Sequence, residues 1–130
     1  MALVVLDASV VIGFLDATDA RHDRAVAALS ARRTDELIVP ASVYAETLVR
    51  PFREGTAAVA KAERFYADFV IRIEPLSRDI ARRAAELRSR RRGLKLPDAI
   101  VIATGEVLSA SAILTADEEW PRISRRARKI

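Results

Sequence analysis

Four short apolar runs, separated by stretches of helical periodicity, constrain this chain more than any other feature. Residues 3–6, residues 37–39, the set Val70, Ile71 and Ile73, and residues 112–114 are too short for helices and fit strands covered on both faces. Between them, apolar residues recur every three or four positions, as amphipathic helices require. Strands that alternate with helices pair in parallel through right-handed crossovers. The expected fold class is therefore α/β, a three-layer arrangement with a short parallel sheet flanked by helices. At 130 residues, 51% apolar and 31% charged, residues 1–130 read as one globular domain able to bury one core.

In chain order, helices are expected over residues 9–15, 20–33, 41–52, 57–69 and 77–91, with another beginning after Pro97. Ser9 can cap the first helix, and Val26 and Leu29 point the second inward. Pro40 closes the second strand and opens the third helix. Gly55 and Thr56 interrupt the pattern, Pro75 stops the third strand, and Gly93 ends an arginine-rich helix. Residues 118–130 hold Trp120, Pro121 and a basic tail that reads as a last helix, an edge strand or a frayed end.

The chain has no cysteine, which excludes disulfides, thiolate metal sites and cysteine nucleophiles. Its first apolar run has no basic segment before it and is interrupted by Asp7 and Asp16, so neither a signal peptide nor a membrane span is expected, and the cytoplasm is the default location. The 22 Lys and Arg against 18 Asp and Glu give a net charge of +4. The pI near 10.1 is compatible with a polyanionic partner and equally with a merely soluble basic surface. Arg88, Arg90, Arg91 and Arg92 form the densest basic cluster, either a solvated helix end or a phosphate contact. The single histidine, His22, cannot supply an acid–base pair by itself and reads as an inert surface residue.

Four carboxylates stand where chemistry is placed in such a fold. Asp7 follows the first strand, at the carboxyl edge of the sheet where ligands bind in open α/β folds, although taken alone an aspartate there reads first as a helix cap. Glu46 shares a helix face with Val43 and Val49, or else pairs with Arg50 at the next turn. Asp98 lies in the first turn of a helix that is apolar on nearly every face, where Val101 and Ile102 share its side, so it either serves the helix dipole or lines a buried wall. Asp117 follows the last strand as Asp7 follows the first. Four crowded carboxylates repel one another and raise the pKa of some members unless a cation compensates. Mg²⁺ or Mn²⁺ takes oxygen ligands, uses one or two carboxylates directly, and keeps positions for water and phosphate.

Asp7-Ala8-Ser9 after an apolar strand, Glu46 in the helix after the second strand, Leu96-Pro97-Asp98-Ala99-Ile100 with Ala103-Thr104 downstream, and Leu114-Thr115-Ala116-Asp117 with Trp120 together resemble a PIN domain. Within that family the chain looks most like the VapC toxins of bacterial and archaeal toxin–antitoxin pairs. The resemblance implies a metal-dependent endoribonuclease, with Asp7, Glu46, Asp98 and Asp117 as its acidic quartet and Ser9 and Thr115 as the polar residues beside it. Asp7 and Asp98 are the expected metal ligands. The resemblance also implies products with 5′-phosphate and 3′-hydroxyl ends, a homodimer, and a VapB-like antitoxin that occludes the cleft. Val43, Leu48, Phe52, Phe65 and Phe69 are candidates for an antitoxin groove, but read first as core. Gly105 departs from the pattern, since many relatives place alanine after the Ala-Thr pair. It is expected to loosen its helix slightly.

Two other readings stay open. A non-catalytic module of the same fold would bind RNA or protein without needing the carboxylates. An aspartyl-nucleophile phosphatase is suggested by Asp7 but opposed by Ser9, where that chemistry usually places a second aspartate.

Overall fold

A computed structural model describes all 130 residues, and its sheet follows directly from the apolar runs. Strands β1 (Leu3–Leu6), β2 (Glu36–Pro40), β3 (Arg72–Glu74), β4 (Ala112–Thr115) and β5 (Ala127–Lys129) are all parallel, in the order β3-β2-β1-β4-β5. The three central strands carry the apolar runs, and Val4, Val5, Leu6, Ile38 and Ile113 are inaccessible to solvent. Each strand end therefore points to one common edge. The chain leaves β1 toward β2 on one side and later reaches β4 on the other, so a crevice opens between the carboxyl ends of β1 and β4.

The helices are α1 (Ala8–Leu15), α2 (His22–Ser30), α3 (Ala41–Glu54), α4 (Thr56–Asp68), α5 (Arg78–Arg90), α6 (Leu96–Val107) and the short α7 (Trp120–Ile123). They pack as the pairs α1–α2, α3–α4 and α5–α6 around the sheet. Gly55 ends α3 and starts α4 with φ 125° and ψ 178°, a region open essentially to glycine alone. Ser77 caps α5, its hydroxyl accepting from Ile80 N at 3.1 Å. The basic tail resolves into both a helix, α7, and the edge strand β5. No helix is long and apolar enough to cross a membrane.

Several local expectations change. The cap of α1 is Asp7, whose side chain accepts from Ala8 N, while Ser9 lies inside the helix and turns its hydroxyl elsewhere. Helix α2 ends at Ser30, with Ala25 and Leu29 buried and Val26 only partly so. Val70 is not a strand residue. It takes φ 52° just beyond α4, where its N–H donates to Ala67 O at 3.1 Å and Ile71 N–H donates to Tyr66 O at 2.9 Å. These two bonds form a Schellman closure, so the need to satisfy the last carbonyls of α4 outweighs the β preference of valine. Val43, Leu48 and Phe65 are core and Phe69 packs against the core, whereas Phe52 is 69% exposed.

Gly105 is a packing requirement. A Cβ added there would lie 2.4 Å from both Cγ1 and Cδ1 of Ile113, so the bare helix backbone of α6 is what admits the branched side chain of β4.

Candidate active site

The crevice between β1 and β4 is built on Asp7. The residue is 8% exposed, and its Oδ1 accepts from Ala8 N at 2.8 Å. Oδ2 accepts from Ser9 Oγ at 2.7 Å and from Thr115 Oγ1 at 2.9 Å. Burial nevertheless prevails and pushes its pKa up, against the opposing pull of Ser9, Thr115 and the nearby amides.

The same hydroxyls hold the turn after β4. Ser9 Oγ accepts from Ala116 N at 3.0 Å, and Thr115 Oγ1 accepts from Asp117 N at 3.0 Å. Asp117 itself is exposed and receives Glu119 N at 2.8 Å on Oδ1. Ser9 and Thr115 thus bind β1, α1 and β4 into one polar cluster within an otherwise apolar wall. The amides of Ala8 and Ala116 belong to it as well, and no side-chain pattern in the sequence marks them.

Asp98 stands in the first turn of α6, half-buried. Its pKa is pushed up to about 6, first by burial and then by the negative charges of Asp7, Asp117 and Glu46, while Lys95 pulls the other way. Glu46, on the exposed part of α3, is raised by burial and then by Asp7. The charges of Asp7, Glu46 and Asp117 thus all act on Asp98, the first from a buried position and the other two from the exposed rim. The alternative partner for Glu46 is absent. Arg50 turns away and pairs with Asp16 at 3.1 Å and Glu54 at 2.7 Å. Lys95, which acts on Asp98, and Arg21, which acts on Asp7, are cations near the quartet that no motif marks. The position of Lys95 three residues before Asp98 is its signal in the sequence.

His22 lies outside the cluster, with Nδ1 2.8 Å from Gly13 O. Among the arginines, Arg88 is turned onto the carbonyls of Arg92 and Leu94, and Arg91 onto that of Arg122, so part of the run fastens the α5–α6 connection.

The donors offered are all hard oxygens, which suits Mg²⁺ or Mn²⁺ and excludes a thiolate site. No three acidic or histidine side chains lie close enough together to hold a metal ion among them. An ion that takes one or two carboxylates and retains several waters needs no such triad.

A PIN-domain family model matches residues 4–126. VapC20 of Mycobacterium tuberculosis, a sarcin-ricin loop cleaving toxin, is similar in structure with a TM-score of 0.76 and 24% identity, over 92% of this chain and 93% of that one. VapBC2 from Rickettsia felis, bound to a DNA fragment from its promoter, gives 0.78 and 15% over 98% of each chain. A toxin–antitoxin complex from Klebsiella pneumoniae gives 0.73 and 22% over 98% of this chain and 99% of that one. Identities of this size establish a shared fold. No curated protein matches the sequence.

Proposed function

The chain belongs to the PIN-domain family, and on that premise we propose that it is a metal-dependent endoribonuclease that acts as the toxin of a toxin–antitoxin pair. The observation that carries this reading is the buried Asp7 carboxylate, fixed by Ala8 N, Ser9 and Thr115 at the switch point of the sheet, with the pKa of Asp98 pushed up by burial and by the charges of Asp7, Asp117 and Glu46. An uncompensated cluster of this kind costs stability, and its use is to attract a divalent cation.

Asp7 and Asp98 are the residues that would hold Mg²⁺ or Mn²⁺, directly or through water, with Glu46 and Asp117 as further ligands or orienting groups. When bound, such an ion polarises the scissile phosphate and lowers the pKa of a water molecule. The chain's own residues do the rest. Ser9 and Thr115 fix Asp7 Oδ2, and Ala8 N–H fixes Oδ1, so the deepest carboxylate cannot rotate away from the crevice. Glu46, whose proton affinity is raised, accepts on its carboxylate the proton of the attacking water. The products carry 5′-phosphate and 3′-hydroxyl ends.

In this reading the protein works in the cytoplasm as a homodimer, and a VapB-like antitoxin silences it by covering the crevice. The toxins and toxin–antitoxin complexes that share the fold support that assignment. The test is cleavage of total RNA by wild type and Asp98→Asn, each with Mg²⁺, Mn²⁺ or excess chelator. Discrete fragments that require both the metal and Asp98 are expected. Identical behaviour of the two proteins under every condition would sink the nuclease reading and leave the binding module.

A further inference from the structure

A second polar cleft, of about 590 Å³, opens at the other end of β4, beside Ser111. Arg83, Arg125, Arg126 and Arg128 line it, with Glu106 as the only carboxylate and Ile123 as the only apolar residue. Arg83 is already engaged by Glu106 at 2.6 Å and by Glu86. The other three guanidiniums have no carboxylate partner. Arg126 donates to Ala110 O, and Arg128 to the carbonyls of Arg125 and Ala127, so both are oriented without being neutralised.

Strand β5 is the outer strand, and its register sets Arg128 opposite Leu114 and Lys129 opposite Thr115, the residue that bonds Asp7. From Ser111 to Thr115 the path is about 13 Å at the usual rise per strand residue. Lys129 is paired with Glu118 at 2.9 Å, so the unpaired cations, Arg125, Arg126 and Arg128, lie toward the rear end of that path.

We propose that this cleft seats the sugar–phosphate backbone of the RNA that enters the acidic crevice. The proposal rests on the nuclease reading for the identity of the polymer. The acidic crevice repels phosphate, so the attraction for a polyanion must come from elsewhere on the surface. Guanidiniums, serine hydroxyls and an almost complete lack of apolar lining are what phosphodiester contacts use. An acidic protein partner would need apolar anchors in a dry centre, and Ile123 alone does not supply them.

The test uses Asp98→Asn as the non-cleaving reference and a fluorescently labelled RNA hairpin as the probe, over a range of salt. Adding Arg125→Ser and Arg128→Ser is expected to weaken binding at least about tenfold at moderate salt and to lower the slope of log K against log salt by roughly one for each phosphate no longer neutralised. Arg128→Lys, which keeps the charge, is expected to retain most of the binding, and matched circular dichroism melts exclude a folding defect. Unchanged affinity and slope in the double variant would overturn the proposal, as would polyglutamate displacing the RNA at equal charge concentration. A reference protein that binds no RNA would overturn it as well, while wild-type cleavage of total RNA separately decides the nuclease reading.

Discussion

Thr115 Oγ1 donates to Asp7 Oδ2 at 2.9 Å across 108 residues of sequence, and the same hydroxyl accepts from Asp117 N at 3.0 Å. One buried side chain therefore holds the carboxylate of β1 and the turn after β4 on opposite sides of a single crevice.

Thr115→Val keeps the shape and removes both hydrogen bonds. Asp7 then remains buried with one donor fewer, an imbalance of about 1–3 kcal/mol. Urea unfolding near neutral pH is expected to show that loss. Thr115→Ser, which retains the hydroxyl, is expected to keep most of the stability, and a Thr115→Val variant as stable as the wild type would mean that the hydrogen bonds contribute nothing.

Asp98 links stability to pH. Its carboxyl titrates near 6 in the folded chain against an ordinary value of 3.8, so the folded state binds the proton more tightly than the unfolded state. The stability it contributes is fully present below about 3.8 and is lost as pH rises through 6. In chelator, Tm is expected to fall between about pH 4 and about pH 6.5, and Asp98→Asn should flatten that fall. The same variant is expected to cut RNA cleavage by roughly 10²-fold or more while leaving Tm at neutral pH unchanged or higher. Mg²⁺ should raise Tm more at about pH 7.5 than at about pH 5, because protons compete for the same oxygens. Calorimetry at matched ionic strength reads the melting temperatures and a cleavage assay the rate, and a neutral-pH Tm that drops in Asp98→Asn would contradict the picture of a repulsive cluster.

Gly105 and Ile113 are complementary. Gly105→Ala is expected to destabilise the chain by about 1–3 kcal/mol despite the better helix propensity of alanine, because its Cβ meets Ile113 at 2.4 Å. Ile113→Ala by itself opens a cavity and costs about 2–5 kcal/mol. Together the two should cost less than their sum, with a coupling of about 0.5–3 kcal/mol in denaturant melts. Additive losses would show that the clash is relaxed elsewhere.

Val70 is 82% exposed and holds φ 52° at the end of α4. A β-branched residue is strained there, and its side chain gives little packing in return. Val70→Gly is expected to stabilise the chain by up to about 1 kcal/mol, after the greater backbone entropy of glycine when unfolded is counted. Thermal melts check this, and a lower Tm would mean that the packing of the valine side chain outweighs the strain.

Much of this is legible in one dimension. Runs such as Leu3–Leu6 and Ala112–Thr115 become buried central strands because an unbroken apolar stretch bounded by polar residues has few other places to go. Helix α5 is readable for a similar local reason, since Ser77 caps it and its buried Ile80, Ala84 and Leu87 fall on one stripe. Val70 misleads because its β preference is local, whereas the closure of α4 depends on carbonyls several residues earlier. Ser9 misleads for a different reason. A serine two residues after an aspartate looks like a cap, and only the arrival of Ala116 and Thr115 from the far end of the chain gives its hydroxyl another task.

By itself, then, the sequence determined the alternation of elements, the parallel sheet, and the candidacy of Asp7, Glu46, Asp98 and Asp117, because periodicity, caps and strand ends are properties of neighbouring residues. Only the tertiary structure decided that Arg50 turns from Glu46 toward Asp16 and Glu54, that Gly105 is required by Ile113, and that three unpaired arginines gather behind β4. Each of these depends on which segments meet after the crossovers are made, and pairings between distant residues are set by packing the whole core at once, not by any local preference.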